Sequence, residues 1–211
     1  GLLVACIDDP VIKSILPQVQ RAILTYGFDE NADVRGFDLE QSEVTSSFKV
    51  ERTGFLKNIE ISLGLPGRHN VLNSLAAIAI ASDEGVSDSN IKKGLANFQG
   101  VGRRFEIHGK FSISQGECLL VDDYGHHPTE VKATIDAVRS GWPGKRLVMV
   151  YQPHRYSRTL ELFDQFVDVL ARVDHLILTE VYSAGEEKIT GATGKDLYQK
   201  LIMDGQVSVD F

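Results

Sequence analysis

Cys118-Leu-Leu-Val-Asp122-Asp123-Tyr124-Gly125-His126-His127-Pro128 is the stretch on which the reading of the fold turns. An apolar strand, Cys118–Asp122, runs into a polar loop, and a proline suited to a first helical turn closes that loop. Helix Pro128–Ser140 is predicted next, with Val131, Ile135 and Val138 on one face. The same grammar repeats downstream. Strand Leu147–Tyr151 leads to helix Leu160–Ala171, whose core side carries Leu162, Phe163, Phe166 and Leu170. Strand Leu176–Thr179, helix Lys195–Asp204 and strand Val207–Phe211 complete the series. Strands separated by helices of this length predict an α/β class with a doubly wound, mostly parallel sheet.

Upstream the texture differs. Leu2–Ile7, a short helix after Pro10, and Ala22–Tyr26 read as strand, helix, strand. Between Val34 and Leu63 short alternating segments, such as Val44–Val50, read as antiparallel strands joined at Arg52-Thr-Gly54. A helix from about Asn70 to Ser82 follows, then a second one capped by Ser87 and running to Phe98. Gln99-Gly100-Val101-Gly102 marks a domain boundary, giving domains 1–100 and 101–211, and Phe105–Gln115 reads as a strand pair. A strand that begins at Leu2 and another that ends at Phe211 lead us to expect a piece of a longer protein.

Composition narrows the function classes. With 43% hydrophobic and 24% charged residues the chain is ordinary globular protein. No apolar run approaches the roughly 20 residues of a membrane span. A formal net charge of −7 argues against a nucleic-acid surface, but leaves room for a few arginines that bind a small anion. Cys6 and Cys118 lie in apolar runs and read as buried free thiols of a reducing, cytoplasmic compartment.

Two polar loops carry the candidate chemistry. Asp122–His127 follows one strand, and Tyr151-Gln-Pro-His-Arg155-Tyr-Ser-Arg158-Thr159 ends the next. In a parallel sheet both leave the carboxyl ends of their strands, the rim where ligands bind in open α/β folds. Three readings compete. Asp122, Asp123, His126 and His127 suit a divalent metal, although no second cluster supplies further ligands. They also suit a hydrogen-bonded structural corner. The favoured reading is an anion or carboxylate site, with Arg155 and Arg158 near a helix N-terminus. Solvated arginines would not need the proline and aromatic residues that fix this loop. Arg103-Arg104-Phe105-Glu106 reads equally as a functional pair or as solvated linker charge. Asn70 and Asn73 share one side of a helix start, where an amide suits an adenine edge and capping suits Asn70. No Gly-x-x-x-x-Gly-Lys-Ser/Thr sequence is present, and Gly191–Asp196 and Gly141–Arg146 are rejected on spacing and context.

Five stretches together resemble the Mur ligase family: Gly67-Arg-His-Asn70-Val-Leu-Asn73, Gly100-Val-Gly-Arg103-Arg104-Phe-Glu106, Asp122–Glu130, Gln152–Thr159 and Val181-Tyr-Ser-Ala-Gly-Glu186. The resemblance covers nearly the whole chain. It implies the later part of a central ATPase domain over 1–100, followed by a Rossmann-like, truncated C-terminal domain that brings in the amino acid. The family's P-loop and its magnesium ligands would lie upstream of Gly1, so the isolated chain would be inactive. The implied reaction is ATP-dependent amide formation between the carboxylate of UDP-N-acetylmuramate and L-alanine, through an acyl phosphate, in peptidoglycan precursor synthesis. A branch that recycles murein tripeptide shares the Asp-Asp-x-x-His-His-Pro loop but lacks Gln152–Thr159, and ranks second.

Carried over by resemblance, Asn70 and Asn73 would contact adenine, Arg104 the ATP phosphates and Asp123 the ribose. Tyr124, His126, Arg155 and Arg158 would line the site for the muramate carboxylate and alanine, with His126, Arg155 and Arg158 nearest the chemistry. ATP and Mg2+ are the implied cofactors. Closure about Gly100–Gly102 is implied as well. A metal-dependent hydrolase and a noncatalytic nucleotide-binding module remain as alternatives of other classes.

Overall fold

The computed structural model describes residues 1–114 and 116–211 and divides into two compact units, Gly1–Val121 and Asp122–Phe211. In the first, β1 (Leu2–Cys6) and β2 (Ala22–Gly27) are parallel and joined by α1 (Pro10–Ile15). Asp9 caps that helix by accepting from Val11 N at 2.8 Å and Ile12 N at 3.0 Å. β3 (Val34–Ser42) pairs parallel to β2, whereas β4 (Thr45–Arg52) and β5 (Ile59–Leu63) continue antiparallel, making one five-stranded sheet in chain order.

Period-two alternation builds this unit's core. Phe48 and Val50 of β4 and Ile59, Ile61 and Leu63 of β5 are buried. Against them α2 (Arg68–Asp83) lays Val71, Leu75, Ile78 and Ala79, spaced by three and four residues. Gly36 permits this close approach, since a Cβ there would lie 2.9 Å from Leu75 Cδ1. α3 (Asp88–Ala96) starts at Ser87, whose hydroxyl accepts from Asn90 N at 3.4 Å, as the capping pattern predicted.

β6 (Glu106–Ile113) and β7 (Gly116–Asp122) pair with each other in a separate two-stranded sheet. This corrects one expectation: Cys118–Asp122 is a strand, but it belongs to that pair and not to the parallel series. An apolar run identifies a strand without identifying its neighbour. The strand pair expected over Phe105–Gln115 reaches Gln115, which lies outside the described residues.

In the second unit β8 (Val148–Tyr151), β9 (His175–Leu178) and β10 (Ser208–Asp210) form a parallel sheet in the order β10-β9-β8. Tyr151, Leu176 and Leu178 pack under α4 (Pro128–Gly141), α6 (Phe163–Leu170) and α7 (Gly194–Asp204) through Val131, Ile135, Phe166, Leu170, Leu197 and Leu201. The mixed α/β class with mostly parallel sheets is as the alternation predicted. The expected helix over Leu160–Ala171 is instead two. α5 (Tyr156–Glu161) starts four residues early and breaks from α6 at Leu162, where φ is −111° and ψ 22°. Nothing in the sequence marks that break, for neither glycine nor proline stands there.

Both cysteines are free, but neither is buried: Cys6 is half-buried and Cys118 exposed. Apolar neighbours in a strand do not bury a residue whose own face lacks cover. Among the described residues no helix is long and apolar enough to cross a membrane.

Candidate active site

The loop from Asp123 to Pro128 holds its shape with its own side chains. Asp123 Oδ1 accepts from Gly125 N at 2.8 Å, and a Cβ on Gly125 would fall at the same 2.8 Å from that oxygen. His127 caps α4, with Nδ1 accepting from Thr129 N at 3.2 Å. Glu130 reaches back to His126 N at 3.0 Å and His127 N at 3.2 Å, which completes a capping box around an unusual histidine cap. The structural-corner reading thus describes Asp123 and His127 well. Among the described residues Asp122, Asp123, His126 and His127 do not bring three donor atoms together for a metal.

His126 instead turns its ring toward the second loop. Its centroid lies 5.3 Å from that of Tyr124, in an edge-on contact, and 6.2 Å from that of His154. His154 continues the series to Tyr182 at 5.4 Å. The sequence therefore predicted the meeting of these two loops correctly, although not through adjacent strands of one sheet.

Arg155 stands at the start of α5 with φ 73° and ψ 132°. A side chain bearing Cβ seldom adopts positive φ, so surrounding contacts must hold it. Main-chain bonds do so from the loop after β9: Arg155 N donates to Tyr182 O at 2.8 Å, and Tyr182 N to Pro153 O at 2.8 Å. Glu186 adds its carboxylate, which accepts from Ser157 Oγ at 2.7 Å and Ser157 N at 3.0 Å. Its nearest oxygen is 3.9 Å from Arg155 Nη1. The start of the helix, expected to receive a substrate anion, thus already holds the chain's own carboxylate. Because α5 begins at Tyr156, Arg158 also lies within the helix and not in the loop ahead of it.

Arg158 is half-buried and donates to His154 O at 3.2 Å, with His154 Nδ1 at 3.4 Å. Among the described residues it forms no ion pair, and its hydrogen-bond partner is His154. Burial, and then the nearby Arg158 and Arg155, hold His154 below the usual imidazole range. A neutral His154 with Nδ1 facing Arg158 is the accepting tautomer. Hydrogen bonds from Ser157 hold Glu186 below the usual carboxylate range, so it is an anion near neutral pH.

Asn70, Asn73 and Arg104 lie in the first unit. Asn70 Nδ2 donates to Pro66 O at 2.8 Å, which ties α2 to the turn ahead of it but does not cap the helix as expected above. Gly67 is the N-cap, and it has no side chain to accept from the first turn. That leaves its carbonyl oxygen and one N–H for a ligand. Asn73 is exposed one turn along, with its whole amide available. Arg104 is exposed between Arg103 and Phe105, which have φ 57° and 50°.

Residues 103–210 match the family described as Mur ligase, glutamate ligase domain, and residues 1–81 match the Mur ligase middle domain. The chain belongs to the Mur ligase family. It is similar to UDP-N-acetylmuramate-alanine ligase MurC from Thermotoga maritima, at 26% identity and TM-score 0.75, over 99% of this chain and 43% of that one. It also resembles MurF from Acinetobacter baumannii, at 22% identity and TM-score 0.71, over 99% of this chain and 48% of that one. MurF ligase from Thermotoga maritima, solved in complex with ADP, matches at 22% identity and TM-score 0.65, over 84% of this chain and 39% of that one. The chain thus spans less than half of each of these Mur ligases.

Two participants carried no role in the sequence reading, His154 and Glu186, although both stand in stretches shared with the family. Their signal was presence in a motif. Spacing could not reveal that a carboxylate some thirty residues downstream caps α5.

Proposed function

We propose that this Mur ligase chain is part of an ATP-dependent enzyme that joins the carboxylate of UDP-N-acetylmuramate to the amine of L-alanine. The observation that carries the reading is Arg158, a half-buried cation bonded to His154, whose ring lies 6.2 Å from that of His126 and feels the charge of Arg155 as well. Such a cluster suits an anion that arrives and then gains charge. ATP converts the carboxylate to an acyl phosphate, the amine attacks its carbonyl carbon, and phosphate leaves. Arg155 and Arg158 serve as the clamp for a carboxylate or for the developing oxyanion. His126 orients a substrate oxygen, and Tyr124, in edge-on contact with it, lines the same site. In the domain pattern proposed, 1–100 belongs to the middle domain and 101–211 to the C-terminal one. Asn70 and Asn73 serve the adenine edge, Arg104 the phosphates and Asp123 the ribose. The free amide of Asn73 fits that assignment better than Asn70, whose Nδ2 already donates to Pro66 O. Mg2+ would be held by residues outside these 211.

The test is ATP-dependent amide formation by the full-length protein with UDP-N-acetylmuramate and single amino acids. The reading predicts a product with L-alanine, with phosphate released in equal amount. Activity only with murein tripeptide would assign the recycling branch, and activity with neither acceptor would overturn the assignment.

A further inference from the structure

We infer that Glu186 is a positioning residue that sets Arg155 for the anion; the inference rests on the carboxylate-site reading of Arg155. Three independent features meet at this arginine. Its backbone holds φ 73°, a conformation disfavoured for any residue with a Cβ. Its amide is pinned to Tyr182 O at 2.8 Å, within a bridge that aligns His154 with Tyr182. Two residues on, both donors of Ser157 end on the two carboxylate oxygens of Glu186, Oγ on Oε1 at 2.7 Å and N on Oε2 at 3.0 Å.

The carboxylate therefore does what an N-cap side chain ordinarily does for its own helix. Arg155 occupies the N-cap position but offers no acceptor, so the cap comes from the loop after β9. Holding α5 in place fixes where the strained residue must turn. Glu186 Oε1 also lies 3.9 Å from Arg155 Nη1, beyond a hydrogen bond but near enough to orient the guanidinium electrostatically. At that distance the guanidinium keeps its donors for another anion. Arg155 is 51% exposed at its side chain, so it can reach a ligand, whereas Glu186 is 25% exposed and tucked behind it. The role deepens the site by one residue without placing Glu186 on substrate.

The experiment compares Glu186→Gln, Arg155→Ala and the double variant in the full-length protein. Glutamine keeps the volume but has one accepting oxygen, so it cannot hold both Ser157 donors. We expect Glu186→Gln to lower kcat/KM for the amino-acid substrate by on the order of 10-fold. In the Arg155→Ala background the same change is expected to matter less than about twofold, because its target is gone. Equal losses in both backgrounds overturn the inference. A crystal structure of Glu186→Gln supplies a readout independent of turnover: relaxation of Arg155 to negative φ supports the role, and an unmoved Arg155 overturns it. An unchanged rate in Arg155→Ala would overturn the carboxylate-site reading instead, leaving the crystal structure to decide the positioning.

Discussion

Arg139 and Asp174 meet side-on across 35 residues, with Nη1 2.9 Å from Oδ2 and Nη2 2.9 Å from Oδ1. Asp174 Oδ2 also accepts from Leu147 N at 2.6 Å, and Arg139 donates to Arg172 O at 3.1 Å. One carboxylate thus ties the end of α4 to the chain entering β8 and β9. The fork holds Asp174 below the usual carboxylate range and Arg139 above its own. Both side chains are more than a third exposed, so solvent screens the charge. Asp174→Ala is expected to lower stability by about 1–2 kcal/mol, chiefly through the lost backbone hydrogen bond and the fork. An unaltered urea midpoint would mean that these contacts contribute nothing.

Arg52 presents the opposite case, a guanidinium buried to 3% exposure at the end of β4. It pairs with Asp88 at 2.8 Å, donates to Ser82 Oγ at 3.1 Å and lies 4.1 Å from the ring of Phe55. It therefore pins the end of α2 to the start of α3. Arg52→Ala leaves a cavity and strips these bonds, which predicts a loss of roughly 2–4 kcal/mol. Asp88→Ala leaves a buried cation without its carboxylate and is expected to destabilise as well. Denaturant titration of both variants checks this. A loss under about 0.5 kcal/mol, the usual scale of a surface change, would contradict it.

The alternation over Val44–Val50 announced an antiparallel strand of the first unit, and the helix expected from about Asn70 to Ser82 is α2. Partner choice was hidden: nothing in Cys118–Asp122 says that it pairs with β6. The histidines and arginines of the two loops were visible as a cluster. The acceptor that organises them, Glu186, was not, because long-range capping leaves no periodic trace. Sequence placed the arginines beside a helix start for a substrate anion, but the fold gave that start to a residue of its own.

Acid sensitivity follows from His154. Burial first, and the neighbouring arginines second, depress its folded value. The unfolded chain therefore takes up the proton first as pH falls. The contribution of this group is complete above about pH 6.5 and declines as pH drops through the folded value. Asp88, Asp174, Glu186 and Asp196 are likewise depressed by hydrogen-bonded partners. Their contributions hold above about pH 4 and fall away below it. Urea titrations are expected to show a first loss beginning near pH 6.5 that His154→Gln removes, with the loss below pH 4 retained. Identical profiles for the variant and the parent would contradict this.

The thiols are expected to differ in access. Cys118 is exposed and Cys6 half-buried in β1. Under native conditions a disulfide reagent is expected to modify Cys118 quickly and Cys6 at least about 10-fold more slowly, since modification of the latter requires local opening. Mass mapping at early times distinguishes them, and equal labelling would mean that β1 opens as readily as the surface.

That Arg155 and Arg158 receive the reacting carboxylate is checked by steady-state kinetics of Arg155→Ala in the full-length protein. With ATP, UDP-N-acetylmuramate and L-alanine supplied, loss of a charge-assisted bond of about 1.5–3 kcal/mol predicts turnover roughly 10- to 150-fold lower. A rate equal to that of the parent would remove Arg155 from the site and contradict the account.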